Sequence, residues 1–301
     1  MLRLLFALCA VSVLAACSSG GSSRGAMSWS DLTRQPRPLP QTTVKWGEGE
    51  TDIADVWRPE GEGPFPVVLM IHGGCWQKSV ADRRLMNYAA EALREEGLAV
   101  WNVEYRGVDE EGGGYPGTFH DVRRAAAALA EWAPGLNLDA SRVVAYGHSA
   151  GGHLALWLAA SAKLPNDDFL HVGEDLPLLG VLSTGGLPDL EESAPATLPS
   201  CLASIQDRLT GADTGRAEPL ADTSPDRLLP IATPQVSLNA RHDRIAPPAL
   251  GRAWTEEAEA AGDEARFVLV PGGHVELIAP GTPAFRETIG LLKAMLGEGE
   301  V

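Results

Sequence analysis

The sequence predicts an α/β fold, a mostly parallel sheet with helices on both faces and one cap-like excursion. Three observations carry this. Short apolar runs such as the VVLMI of residues 67–71 alternate with longer stretches of helical period. One strand-length run meets an apolar helix at a serine held between glycines, in VVAYGHSAGGHLALWLAA over 143–160. A single segment, 185–233, breaks the alternation and is rich in Pro, Asp and Ser. It is too long for a plain connector and is expected to fold as a cap.

The amino end reads as an export signal. Arg3 supplies positive charge and residues 4–13 form an apolar run interrupted only by Ser12. A membrane-spanning helix needs roughly 20 such residues, so this run is too short to span a bilayer. The Leu14-Ala15-Ala16-Cys17 that follows resembles the bacterial lipoprotein signal box, and Gly/Ser-rich residues come next. That resemblance implies a signal peptide over 1–16, a lipid on Cys17 and a flexible tether over 17–41. It makes the membrane a partner and implies an exported lipoprotein, at the outer membrane facing the periplasm.

The folded domain is expected over 42–301. Residues 42–46 and 52–57 read as edge strands joined by the turn at 47–50, and Pro64 and Pro66 frame the buried strand 67–71. A helix is expected over 81–96, closed by Gly97, before the strand 98–104. Helix 119–132, strand 142–146, helix 150–161 and strand 178–182 continue the rhythm. Strands 235–238 and 266–270 complete the sheet, with helices over 247–261 and 283–296. The GGGYPG run at 112–117 lacks the Lys-Ser or Lys-Thr of a phosphate cradle and is expected to be a mobile loop near the cleft.

A formal net charge of −16 argues against nucleic-acid binding, which relies on neutralising phosphates. No Cys/His spacing suggests a metal site. Cys75 and Cys201 fall in the domain, where they read as unlinked thiols.

A parallel sheet exposes its reactive groups at the carboxyl ends of strands. Gly147 and Gly151 permit a tight strand-to-helix turn that would hold Ser149 out as a nucleophile. The same five-residue pattern at 21–25 lies in the tether and lacks both strand and helix. A serine hydroxyl needs a base, and the base needs an orienting acid, in the chain order Ser, Asp, His. His274 follows the last strand on a glycine-rich loop, and Asp243 follows the penultimate strand. His153, one helical turn beyond the serine, is expected to face the cap or the surface. His171 lies in polar surroundings with no strand near it, His242 reads as a surface neighbour, and Asp121 as a cap or ion-pair partner. The oxyanion of acyl transfer needs backbone N–H donors, here Ala150 after the nucleophile and Gly74 and Cys75 in the IHGGCWQ of 71–77. Gly73 permits that turn, His72 braces it, and Trp76 with the 185–233 excursion is expected to shape the acyl and leaving-group pockets.

Together, His72-Gly73-Gly74-Cys75-Trp76, Glu104-Tyr105-Arg106, Pro116, Asp121, Gly147 to His153, Asp243 and His274 resemble the α/β-hydrolase superfamily. The likeness is to its esterase/lipase and arylformamidase branch and covers most of the chain from Thr42. It implies hydrolysis of a small-molecule ester or amide without metal or organic cofactor. Cys75 stands where lipases often carry a third glycine, which brings the motif closer to kynurenine formamidases and feruloyl-esterase-like hydrolases. The expectation is a serine carboxylesterase on small or medium esters, with a kynurenine formamidase-like arylformamide hydrolase as alternative and a non-catalytic binding lipoprotein as the remote one. A propeller-bearing peptidase is disfavoured by the short stretch before the domain. Oligomeric state is left open.

Overall fold

The computed structural model describes residues 26–298. The signal segment, Cys17 and the second glycine-flanked serine lie outside the described residues.

The strands are β1 (Thr42–Lys45), β2 (Ile53–Trp57), β3 (Phe65–Ile71), β4 (Ala99–Val103), β5 (Leu138–His148), β6 (Gly180–Thr184), β7 (Gln235–Ala240) and β8 (Ala265–Val270). They form one sheet in the order β1-β2-β4-β3-β5-β6-β7-β8. β1 and β2 are antiparallel at one edge, and the pairs from β4 through β8 are parallel. The helices are α1 (Trp29–Thr33), α2 (Asn87–Glu95), α3 (Gly117–Trp132), α4 (Ala150–Ala160), α5 (Leu190–Ala196), α6 (Gln206–Thr210), α7 (Pro248–Ala261) and α8 (Pro283–Leu296).

Side chains on a strand point alternately to opposite faces, and β3 shows how this builds two cores. Val67, Leu69 and Ile71 join the layer of α3, α4 and α7, while Val68 and Met70 join that of α2 and α8. Every residue of α4 is buried, which explains why its sequence is apolar all round rather than striped.

The helix expected over 81–96 is two pieces. A 3₁₀ turn over Arg83–Met86 precedes α2. The Asp82 side chain accepts the Arg84 N–H there, and Arg83 is drawn into Asp55 and Glu104. The GGGYPG loop is pinned rather than mobile: Tyr115 N–H donates to the Arg208 carbonyl, and the Thr118 hydroxyl binds the Arg106 carbonyl. An added Cβ at Gly113 would stand 1.7 Å from the Gly107 carbonyl oxygen, so the backbone packs too closely for any side chain there. Asp121 lies inside α3 and pairs with Arg106.

The folded part begins before residue 42. In α1, Leu32 is fully buried, and Ser28 and Asp31 form a capping box. Tyr88 and Asn87 of α2 donate to the carbonyls of Gln35 and Pro38. Residues 26–41, expected to be tether, are therefore a strap, mostly exposed but anchored through Met27, Leu32, Gln35 and Pro38. Nothing in the composition of so short a helix announces this, because contacts with distant segments hold it.

The 185–233 excursion is also packed down. Leu187, Leu190, Cys201, Leu202 and Leu209 join the core beneath it. Trp157 Nε1 and His153 Nε2, both on α4, donate to the carbonyls of Asp222 and Thr223.

Candidate active site

β3 and β5 lie side by side, with Ile71 opposite Gly147. The loops that leave their carboxyl ends are therefore neighbours. Ser149 stands between β5 and α4 at φ 57°, ψ −122°, a conformation unfavourable for a side-chain-bearing residue and imposed by the surrounding packing. An added Cβ at Gly147 would stand 1.9 Å from the Gly151 carbonyl oxygen, and one at Gly151 would stand 2.1 Å from that of Ile71. Both glycines are required by close backbone approach. This is the strained turn that the spacing predicts.

His274 and Asp243 meet next to it. His274 Nδ1 donates to Asp243 Oδ2 at 2.6 Å. The other carboxylate oxygen, Oδ1, accepts the N–H groups of Ile245 and Ala246 at 2.8 and 2.9 Å. Asp243 is thus fixed through both oxygens, and its side chain is fully buried. Ser149 and His274 line one cleft of about 220 Å³. The Ser149 hydroxyl has no hydrogen-bond partner among the described residues.

Gly74 and Cys75 line the same cleft. The backbone N–H groups of Gly74, Cys75 and Ala150 have no acceptor among the described residues. Gly74, Cys75 and Trp76 all have positive φ, at 121°, 53° and 52°. Gly73 lets this loop approach the elbow, since an added Cβ there would meet Ser149 Cβ at 3.0 Å. His72 braces it from below: Nε2 donates to Glu104 Oε1 at 2.9 Å, and the ring stacks on Tyr105. Glu104 is buried, which opposes its charge, yet the facing His72 and Lys78 outweigh that and hold the carboxyl far below its ordinary range.

Three features depart from what the sequence predicts. Cys75 and Cys201 are joined in a disulfide, with Cα atoms 4.8 Å apart. Their 126-residue separation hides this in the sequence, and the loop after β3 and the excursion bring them together. Trp76 does not line the cleft. The left-handed backbone turns its indole into the core, fully buried, where Nε1 donates to His153 Nδ1 at 3.2 Å. No residue of the 185–233 excursion lines the cleft. Cys201 backs Cys75 through the disulfide, and Gly185 packs beside the His274–Asp243 pair, where an added Cβ would stand 3.1 Å from His274 Nδ1.

Trp29 and Thr33 of α1, Val80, Ala81, Leu85 and Ile245 complete the walls. None was legible as a site residue. His148 also lines the cleft. Its Nε2 donates to the His274 carbonyl at 3.1 Å. Burial first, then proximity to His274, pushes its pKa well below the ordinary value, so the ring is neutral at pH 7.

His153 ties three parts together. Nδ1 accepts from Trp76 in the loop after β3, and Nε2 donates to Thr223 in the excursion. Burial lowers its pKa to about 4. An unfolded histidine titrates near 6.5, so the unfolded chain binds the proton more readily between those values. Stability should therefore be unaffected by this group above about pH 6.5 and fall as pH drops toward about 4, by at most ~3 kcal/mol. Urea unfolding of His153→Gln, which can keep both hydrogen bonds without titrating, is expected to show a shallower loss over that window. Equal slopes for the two proteins would remove His153 as the cause.

The sequence profile of the BD-FAE family matches residues 54–234, more than half of the chain. The chain belongs to the BD-FAE family. Among solved structures, this BD-FAE member is similar to esterase B from Lactobacillus rhamnosis. The TM-score is 0.74 and the identity 18%, covering 90% of this chain and 91% of that one. It is also similar to a bacterial heroin esterase, with TM-score 0.65 and 24% identity over 83% of this chain and 80% of that one. These likenesses establish the α/β-hydrolase fold. In sequence, carboxylesterase NlhH of Mycobacterium tuberculosis is 32% identical over 138 residues, 44% of this chain and 42% of that protein. Non-reducing polyketide synthase atr1 of Stereocaulon alpinum is 32% identical over 148 residues, 46% of this chain and 6% of that protein. The matches thus span less than half the length of either curated relative.

Proposed function

We propose that the protein is a serine hydrolase that cleaves small or medium carboxylic esters through an acyl-enzyme on Ser149. The observation that carries this is the His274–Asp243 bond of 2.6 Å opening on the cleft that holds the strained Ser149. Membership of the BD-FAE family and the likeness to a carboxylesterase support the same reading.

In the reaction, Ser149 Oγ bonds to the ester carbonyl carbon while its proton passes to His274 Nε2. Ser149 Oγ and His274 Nε2 are not hydrogen-bonded in this structure, and in such sites that bond often tightens only with substrate in place. Gly74, Cys75 and Ala150 N–H groups receive the oxyanion, each such donor being worth about 3 kcal/mol in the transition state. The carbon–oxygen bond to the alcohol then breaks, and His274 returns the proton to the departing oxygen. Water, deprotonated by His274, releases the acid and restores the serine. Asp243 orients the imidazole and stabilises its charged form. A tether through a lipid on Cys17, placing the domain in the periplasm at the outer membrane, is part of the same proposal.

The discriminating experiment compares turnover of p-nitrophenyl butyrate and N-formylkynurenine. Preference for the ester by kcat/KM supports the proposal. Preference for the formamide would favour the arylformamidase reading, and inertness toward both, together with no fluorophosphonate labelling, would favour a binding protein.

A further inference from the structure

The strap over residues 26–41 lies outside the span that matches the BD-FAE family, yet it supplies part of the cleft. Trp29 stands edge-on to the rings of both His274 and His148, with centroids 6.0 and 6.1 Å away. It is 36% exposed, so one side of the indole meets the two histidines and part of it remains open to solvent. Large aromatic side chains are normally held in the interior or at contacts, where their apolar area is covered.

Trp29 is fixed in place. Leu32, on the same short helix, is fully buried against the layer of α2 and α8. Glu276, two residues after His274, accepts the Met27 N–H through Oε1 at 2.6 Å and the Gly273 N–H through Oε2 at 3.0 Å. One carboxylate therefore holds both the start of the strap and the loop that carries His274. The indole and the imidazole are positioned by the same group.

The chemistry assigns a direction to each wall of the cleft. An added Cβ at Gly74 would meet Ala81 Cβ at 2.8 Å, so the segment carrying Val80 and Ala81 flanks the side where the oxyanion is held. The alcohol of an ester leaves on the other side, because its oxygen must take the proton from His274. Trp29 stands beside His274, the group that delivers that proton. We infer that Trp29 is a specificity-determining residue that forms the wall of the leaving-group subsite and selects esters of uncharged aromatic alcohols. This rests on the ester-hydrolase reading above. A flat indole presents apolar area and a polarisable edge to an aryl ring, and the neighbouring Thr33 and Ile245 leave no ionised side chain in that part of the wall.

The test uses acetate esters, which share one acyl group and differ in the alcohol. Values of kcat/KM, which report acylation, are measured for 2-naphthyl acetate, phenyl acetate and ethyl acetate with wild type, Trp29→Ala and Trp29→Phe. Phenyl butyrate and phenyl hexanoate provide the acyl series. The Ala variant is expected to lose about tenfold more on 2-naphthyl acetate than on ethyl acetate, in the range that removal of an apolar contact gives. The Phe variant, which keeps an aromatic wall and guards against a folding defect, is expected to recover most of the difference. The inference is overturned if the loss is equal for all three alcohols, the pattern of an indole that merely supports the base. A loss that follows acyl length at constant alcohol would also overturn it. A wild type inert toward every ester would instead refute the hydrolase reading itself, so the two failures are distinguishable.

Discussion

Ser149→Ala is expected to lower kcat for p-nitrophenyl butyrate by about a millionfold, with an unchanged unfolding transition. The magnitude follows from removal of the nucleophile in serine hydrolases, where the triad acts as a unit and loss of the serine alone costs nearly as much as loss of all three. The fold should survive because the Oγ makes no hydrogen bond among the described residues, and alanine tolerates the φ of 57° no worse than serine does. What residual acceleration remains would come from binding and from the amides of Gly74, Cys75 and Ala150. Stopped assays with the variant at high enzyme concentration measure this directly. Retention of more than a few per cent of the wild-type rate would mean that another group attacks the ester.

Asp243→Asn is expected to cost about 10⁴-fold in kcat, and the hydrogen bonds around the carboxylate explain why. Oδ1 accepts two backbone N–H groups, from Ile245 and Ala246. An asparagine would place its carbonyl oxygen there, since its amide nitrogen cannot accept. The –NH₂ group would then occupy the position of Oδ2, facing His274 Nδ1. Facing a donor, Nδ1 would have to become the acceptor, and the ring proton would move to Nε2. That tautomer cannot take the proton from Ser149. The loss should shrink as pH rises and hydroxide takes the place of the base. A change below about tenfold in kcat at neutral pH would show that Asp243 does not set the tautomer.

Much of this arrangement is legible in the sequence, for physical reasons that differ by element. β3, β4 and residues 143–146 of β5 are buried on both faces, so they read as largely apolar runs. Gly147 and Gly151 are legible because a Cβ at either would overlap backbone less than 2.5 Å away. Asp243 and His274 follow the last two strands, where the order of a parallel sheet puts reactive loops at one rim. The rest depends on contacts between distant segments. Trp29 reaches the cleft because Glu276, 249 residues from Met27 in sequence, holds the strap. The Cys75–Cys201 bond needs the excursion to fold back over α4. Trp76 departs from expectation because a positive φ at two successive side-chain-bearing residues sends its indole inward, and spacing alone carries no sign of that.

The disulfide gives the loop after β3 a covalent stop. Cys75 lines the cleft, and its partner Cys201 is almost wholly buried in the layer that covers α4. With His153 bonded to Trp76 on one side and Thr223 on the other, the loop is held at two consecutive residues. Donors fixed before substrate arrives need no reorganisation as charge develops, which is what makes such amides effective.

The most direct test of the central claim is to find which atom becomes covalently modified. Wild-type protein treated with a fluorophosphonate should gain one adduct per chain, mapped by tandem mass spectrometry to Ser149, with esterase activity lost in proportion to labelling. An unlabelled Ser149 in a protein that still hydrolyses esters, or a stoichiometric adduct on another residue, would contradict it.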